Sequence, residues 1–192
     1  DWSSDVCSSD LHYRIADAHA KLGLPEVKLG LLPGAGGTRR APRLMGVEAA
    51  LALMTEGNPI GAGAARKAGL VDRIAEGELL PAALAYAREL LAANAPTRPT
   101  AAIVPDLSGI DAAWFAARKA SLAKGARGRT APQRIVDALE IGVTLPAEEA
   151  ARRTREMFME MVASTESRAM RHLFFAEREA AKLPRSEEHT SE

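Results

Sequence analysis

The chain has 192 residues, with 25 basic and 25 acidic side chains, one cysteine and 4% aromatic residues. No stretch is apolar for the roughly eighteen residues that a membrane-spanning helix takes, and no basic stripe of the kind that grips nucleic acid is present. One cysteine excludes an internal disulfide and reads as a reduced intracellular compartment, taken as the cytoplasm, for a soluble chain.

The ends are set aside first. Arg185-Ser-Glu-Glu-His-Thr-Ser-Glu192 resembles translated sequencing-adapter DNA, and Asp1-Trp-Ser-Ser-Asp-Val-Cys-Ser-Ser-Asp10 resembles its reverse complement. The natural segment then runs from about Leu11 to Pro184, and Cys7 receives no role. These ends carry six acids and one base, so their removal leaves 24 basic against 19 acidic residues, about +5. That mild excess is compatible with an anionic ligand.

In chain order, Tyr13 to Ala16 reads as a strand or strand end, and Val27 to Leu32 as an apolar, strand-like run before a Pro-Gly breaker. Pro33-Gly-Ala-Gly-Gly-Thr38 is a glycine-rich loop, with Thr38 expected to cap a helix that includes Arg39 to Leu44. Helices are expected over Val47 to Thr55 and Gly61 to Ala68, with Gly69 at the stop position and a short strand at Leu70 to Ile74. Another helix runs from about Leu80 to Asn94. Prolines 96, 99 and 105 then mark a linker or boundary. Helices follow near Asp111 to Lys124 and from about Pro132 to Gly142, either side of a Gly/Arg-rich turn. The last pattern starts at Pro146 as one long helix, with Phe158, Val162, Thr165, Ala169 and Leu173 as its buried stripe.

The stretch that carries chemistry places one carboxylate, Glu26, just ahead of the glycine-rich loop. A glutamate fixed by a preceding proline among apolar residues is poorly solvated, which raises its pKa and brings proton transfer within reach of neutral pH. The loop supplies backbone N–H groups that can hold a water or an oxyanion. From the residues alone, a surface glutamate after a proline stands as the other reading. The loop lacks both the Gly-x-Gly-x-x-Gly spacing of a dinucleotide site and the Gly-Lys-Ser/Thr ending of a P-loop.

His12-Tyr-Arg-Ile-Ala-Asp17, the Pro25-Glu26 pair, Leu29-Gly-Leu-Leu-Pro-Gly-Ala-Gly-Gly-Thr38 and Ala68-Gly-Leu-Val71 resemble, in order and spacing, the central and later part of the crotonase superfamily. The resemblance implies an α/β fold, the C-terminal part of a ClpP/crotonase-like ββα spiral, over residues 11–95. It implies a coenzyme A thioester as substrate and, in the hydratases, two glutamates that share the water added to a trans-2-enoyl thioester. Glu26 matches the second glutamate, and Gly34 matches the loop glycine whose N–H positions that water. The first glutamate belongs in a Gly-Gly-Gly-x-Glu-Leu segment just before His12, where the adapter-like residues stand, so this polypeptide as printed is expected to be inactive. Isomerases of the family use a single carboxylate at the Glu26 position, and a non-catalytic crotonase-like binding module is the remaining alternative.

Beyond the prolines, Ala131-Pro-Gln-Arg-Ile-Val136, Glu149-Ala150, Phe158, Ser164-x-x-Ser167, Ala169-Met-Arg-His-Leu-Phe-Phe-Ala-Glu-Arg178 and Lys182-Leu-Pro184 resemble the linker of multifunctional fatty-acid-oxidation enzymes. Residues 96–184 are accordingly expected to be a mostly helical linker region. It would lead to an NAD-dependent 3-hydroxyacyl-CoA dehydrogenase domain that starts after Pro184, so no cofactor is expected in this chain itself. The resemblance leaves oligomeric assembly open.

His12 and His19 lie near Asp17, but no third ligand follows at a metal-binding spacing, so no metal is expected. Lys21, Lys28, Arg39 and Arg40 are candidates for coenzyme A phosphates or for a solvated surface. Ser164 and Ser167 sit in a helical pattern without a neighbouring base, which disfavours a nucleophile.

Overall fold

The structure, a computed structural model, describes residues 11–182. The adapter-like ends and Cys7 lie outside those residues. Strands are short. Ile15–Ala16 (β1) pairs in parallel with Arg73–Ile74 (β4), and Lys21–Leu22 (β2) pairs antiparallel with Ile60–Gly61 (β3). Asp72 fixes the first pair by accepting the Arg14 N–H at 2.7 Å and an ion pair from Arg98 at 2.5 Å.

Helices make up the rest: Gly37–Met45 (α1), Val47–Glu56 (α2), Ala62–Lys67 (α3), Leu79–Ala92 (α4), Ala112–Gly125 (α5), Ala131–Thr144 (α6), Ala147–Ala163 (α7) and Thr165–Ala180 (α8). A 3-10 turn covers Pro25–Leu29 and another covers Thr100–Ala102. Asp111 starts α5 as expected, its side chain accepting the Trp114 N–H at 2.8 Å.

The core is organised around α6, which packs against α1, α2, α5 and α7. Its sequence explains this position. Ala131, Ile135, Ala138 and Gly142 form one buried stripe, and Pro132, Val136, Leu139 and Val143 form a second beside it. A helix that buries two adjacent stripes belongs in the middle of its neighbours rather than at the surface. Gly142 lets α1 come close, since a methyl group there would meet the Thr38 carbonyl oxygen at 2.8 Å.

Three local expectations are corrected. Val27 to Leu32 is not a strand: Pro25 opens and Gly30 closes a 3-10 turn within it, and its apolar side chains bury by curling inward. Thr38 is not a helix cap. Gly36, at φ 88, takes that position, and Thr38 lies inside α1 with its hydroxyl buried. The helix begun at Pro146 is two helices, because Ser164 leaves helical geometry and its hydroxyl accepts the Ser167 N–H at 3.1 Å to start α8. The buried stripe of α7 is Ala150, Thr154, Met157 and Met161, with Phe158 and Val162 beside it, whereas Thr165, Ala169 and Leu173 are exposed.

Candidate active site

Pro25 opens the turn that carries Glu26. Its fixed φ suits the first helical position, where a missing N–H costs nothing. Gly30 ends the turn in left-handed geometry at φ 67, donating its N–H to the Val27 carbonyl at 3.1 Å, and Leu31 donates to the Glu26 carbonyl at 3.0 Å. Val27 is buried against Gly57 at the end of α2, and the Lys28 ammonium donates to Asn58 Oδ1 at 2.9 Å. With both neighbours of the carboxylate fixed in this way, Glu26 is half-buried and its Oε2 is shut off from solvent.

Leu31, Leu32 and Pro33, all buried, connect this turn to the glycine-rich loop. Ala35 at φ 43 and Gly36 at φ 88 reverse the chain tightly, and the Gly34 carbonyl accepts the Gly37 N–H at 2.9 Å. Arg40 folds back to donate to the Ala35 carbonyl. Gly34 itself faces Phe158 of α7, whose ring edge lies 3.5 Å from where a methyl group would stand.

The two sequence-predicted residues therefore sit under one cover. Gly30, which ends the Glu26 turn, lies against Ser167 and Met170 of α8, and Gly34 lies against Phe158 of α7. A half-buried carboxylate beside a tight glycine loop is an arrangement suited to proton transfer on a bound, partly dehydrated ligand.

The remaining candidates have other occupations. His12 Nδ1 accepts the Arg98 N–H at 2.9 Å, and His19 is exposed with its N–H on Asp17 Oδ1 at 2.7 Å. Lys21 is exposed. Ser164 and Ser167 form the start of α8. Among the described residues, no group of three or more His, Cys, Asp or Glu is placed to hold a metal ion, and no helix is long and apolar enough to cross a membrane.

Two features escaped the sequence reading. Phe158 was grouped with the core stripe, yet its ring covers the loop glycine. A cavity of about 190 Å³ also opens beside α1, with Arg39, Arg40, Arg43, Thr100 and Ala147 in its wall, and neither Glu26 nor Gly34 lines it. The four-residue spacing of Arg39 and Arg43 was the available signal, because it puts both on one helix face.

A family model described as enoyl-CoA hydratase/isomerase matches residues 8–103, half of the chain. Peroxisomal bifunctional enzymes are similar over 89% of this chain: that of Danio rerio is 40% identical over 175 residues and that of Cavia porcellus 38% identical over 174. The chain spans 24% of the length of each. Among solved structures, a carnitinyl-CoA dehydratase from Mycobacterium thermoresistibile aligns over 94% of this chain and 61% of its own at a TM-score of 0.58 and 19% identity. A carnitinyl-CoA hydratase from Mycobacterium avium aligns over 90% and 54% at 0.54 and 24% identity. These structural likenesses give the fold, a crotonase-type α/β domain followed by a helical region. The sequence match and the turn-and-loop segment together place this chain in the enoyl-CoA hydratase/isomerase family.

Proposed function

We propose that the complete protein is an enoyl-CoA hydratase in which Glu26 and Gly34 form one half of the site. The carrying observation is the Glu26 turn, closed at both ends and half-buried immediately ahead of the glycine loop. The substrate is a trans-2-enoyl coenzyme A thioester. Water adds across the double bond, its oxygen to C3 and a proton to C2, to give a 3-hydroxyacyl thioester. Glu26 handles the C2 proton and the Gly34 N–H holds the water in line. Pre-fixing the carboxylate matters because proton transfer by a positioned side chain contributes about 10²–10⁴-fold to rate. The partner carboxylate comes from a segment ahead of His12, where this chain carries its adapter-like residues.

The same proposal assigns residues 11–95 to the crotonase-like domain and residues 96–184 to a helical region leading toward an NAD-dependent 3-hydroxyacyl-CoA dehydrogenase. The bifunctional relatives support it through their names and through a similarity that covers 89% of the chain and so extends well beyond residue 96. This chain contains no Gly-x-Gly-x-x-Gly segment, so no step here runs through NAD. The relatives are named as peroxisomal; a cytoplasmic location rests on composition alone.

Glu26→Gln in the complete enzyme is expected to lower turnover of a trans-2-enoyl thioester by about 10²–10⁴-fold with little change in thermal midpoint, because the lost interaction belongs to the transition state. Retained turnover would remove Glu26 from the chemistry. Sequencing the gene across the Asp10/Leu11 and Pro184/Arg185 junctions tests the rest. A Gly-Gly-Gly-x-Glu-Leu segment upstream supports the hydratase, and its absence points to a single-carboxylate isomerase or a binding module.

A further inference from the structure

We infer that Phe158 of α7 is a positioning residue for the hydration step: its ring bounds the Gly34 loop and keeps the glycine N–H presenting one water to the substrate. The inference rests on the reading of Gly34 as the water-holding glycine and adds to it a residue from outside the loop. Among the described residues the Gly34 N–H donates to no other group, so it is a bare donor just beyond the Glu26 turn. A bare N–H serves a reaction only when its direction is fixed before the ligand arrives.

Two sets of contacts fix it. Within the loop, the Gly34 carbonyl accepts the Gly37 N–H at 2.9 Å, and Arg40 holds the Ala35 carbonyl. These bonds tie the loop to α1, and all of them lie on the carbonyl side of Gly34. Between them Ala35, at φ 43, keeps a left-handed conformation that alanine holds only under constraint.

On the other side stands the ring. A methyl group at Gly34 would meet Phe158 Cε2 at 3.5 Å and Cζ at 3.8 Å and, its chain neighbours aside, nothing else within 4 Å. The neighbouring loop glycines meet residues near them in sequence: Gly36 the Arg39 and Arg40 guanidiniums, Gly37 the Pro33 and Leu24 side chains. Of these three, Gly34 alone is bounded by a helix remote in sequence. Phe158 is itself anchored, since it lies beside Met157 and Met161 of the buried α7 stripe, and α7 packs on α6. A phenyl ring has no proton to give or take, so its route to rate runs through the position of its neighbour. Without the ring the loop gains room on that side, and a misplacement of about 1 Å can cost about 10²-fold in rate. The loss falls on water addition rather than on the Glu26 proton transfer, because the water and the C2 proton are held by different groups.

That separation gives the test, which compares two reactions of the complete enzyme. One is hydration of trans-2-butenoyl coenzyme A. The other is exchange of the C2 hydrogen of butanoyl coenzyme A in D2O. There the C2 proton passes to Glu26 and a deuteron from solvent returns to carbon, with no water added and no other bond broken. Phe158→Ala is expected to lower the kcat of hydration by about tenfold or more, with KM and the exchange rate kept within about twofold. Phe158→Leu, which keeps apolar bulk, should lower the ratio of hydration to exchange by about threefold, and it decides the matter should the alanine variant not fold. Leu173→Ala, at an exposed position of α8, should leave both rates unchanged. An unchanged ratio in the Phe158 variants overturns the inference, and so does a parallel fall of hydration and exchange. Glu26→Gln tells this failure from failure of the underlying reading. Loss of both reactions in that variant keeps Glu26 in the chemistry whatever the Phe158 variants do, whereas retention of both removes Glu26 and the inference on Phe158 with it.

Discussion

Gly34 and Gly37 stand three residues apart, one in the loop and the other at the first position of α1, yet a methyl group would meet different surroundings at each. At Gly34 it would rest against the Phe158 ring at 3.5 Å, an ordinary contact, whereas at Gly37 it would overlap Pro33 Cβ at 2.9 Å beneath Leu24. Gly34→Ala should therefore change stability by less than about 0.5 kcal/mol, and Gly37→Ala should cost about 1–3 kcal/mol, both read from urea unfolding. Equal losses would mean that the loop is packed differently. The contrast shows what one sequence reveals at this scale. Glu26 and Gly34 stood out because a proline, a carboxylate and a glycine run are chemically distinctive in series. Thr38 misled because threonine before a helical pattern is an ordinary capping signal, and nothing local announces that Gly36 has already made the turn.

At the scale of elements, α5 and α6 were legible from their own residues, since Asp111 caps one and a proline opens the other. The break between α7 and α8 was legible in principle, because Ser164 and Ser167 have capping spacing, but an apolar period running through Phe158 and Val162 hid it. The consequence is architectural. Once the chain turns at Ser164, Glu166 accepts from Thr130 N at 2.8 Å, Thr130 Oγ1 at 2.6 Å and Ala131 N at 3.3 Å, so the first turn of α8 caps the N-terminus of α6. A carboxylate there also complements the α6 dipole. Glu166→Ala is expected to lower stability by about 1–2 kcal/mol, seen as a lower urea midpoint at unchanged slope. An unchanged midpoint would show that water replaces the cap without loss.

Across the whole molecule, α6 is buried on two stripes, while α4 buries none of its residues and leaves Leu80 and Leu91 70% and 77% exposed. Hydrophobic pattern alone does not separate the two helices, because which apolar face finds a neighbour is a tertiary fact. The short strands were hard to place for a similar reason: Ile15 pairs with Arg73 and Lys21 with Gly61, partners that no local window contains. The α7–α8 cover over the Glu26 turn carries this further, into the order in which parts acquire protection. The turn is closed on one side by α2, near in sequence, and on the other by Ser167 and Met170 of α8, which are remote from it in sequence. Its Gly30 and Leu31 amides, bonded to Val27 and Glu26, should therefore exchange with solvent at a rate set by docking of α8. In a chain that stops at Ala163 those two amides should lose protection while the interior of α6 keeps it. Unchanged exchange at Gly30 and Leu31 would mean the turn orders without its cover. The carboxylate is thus timed as well as placed, acquiring its fixed setting only when α8, remote in sequence, docks over it.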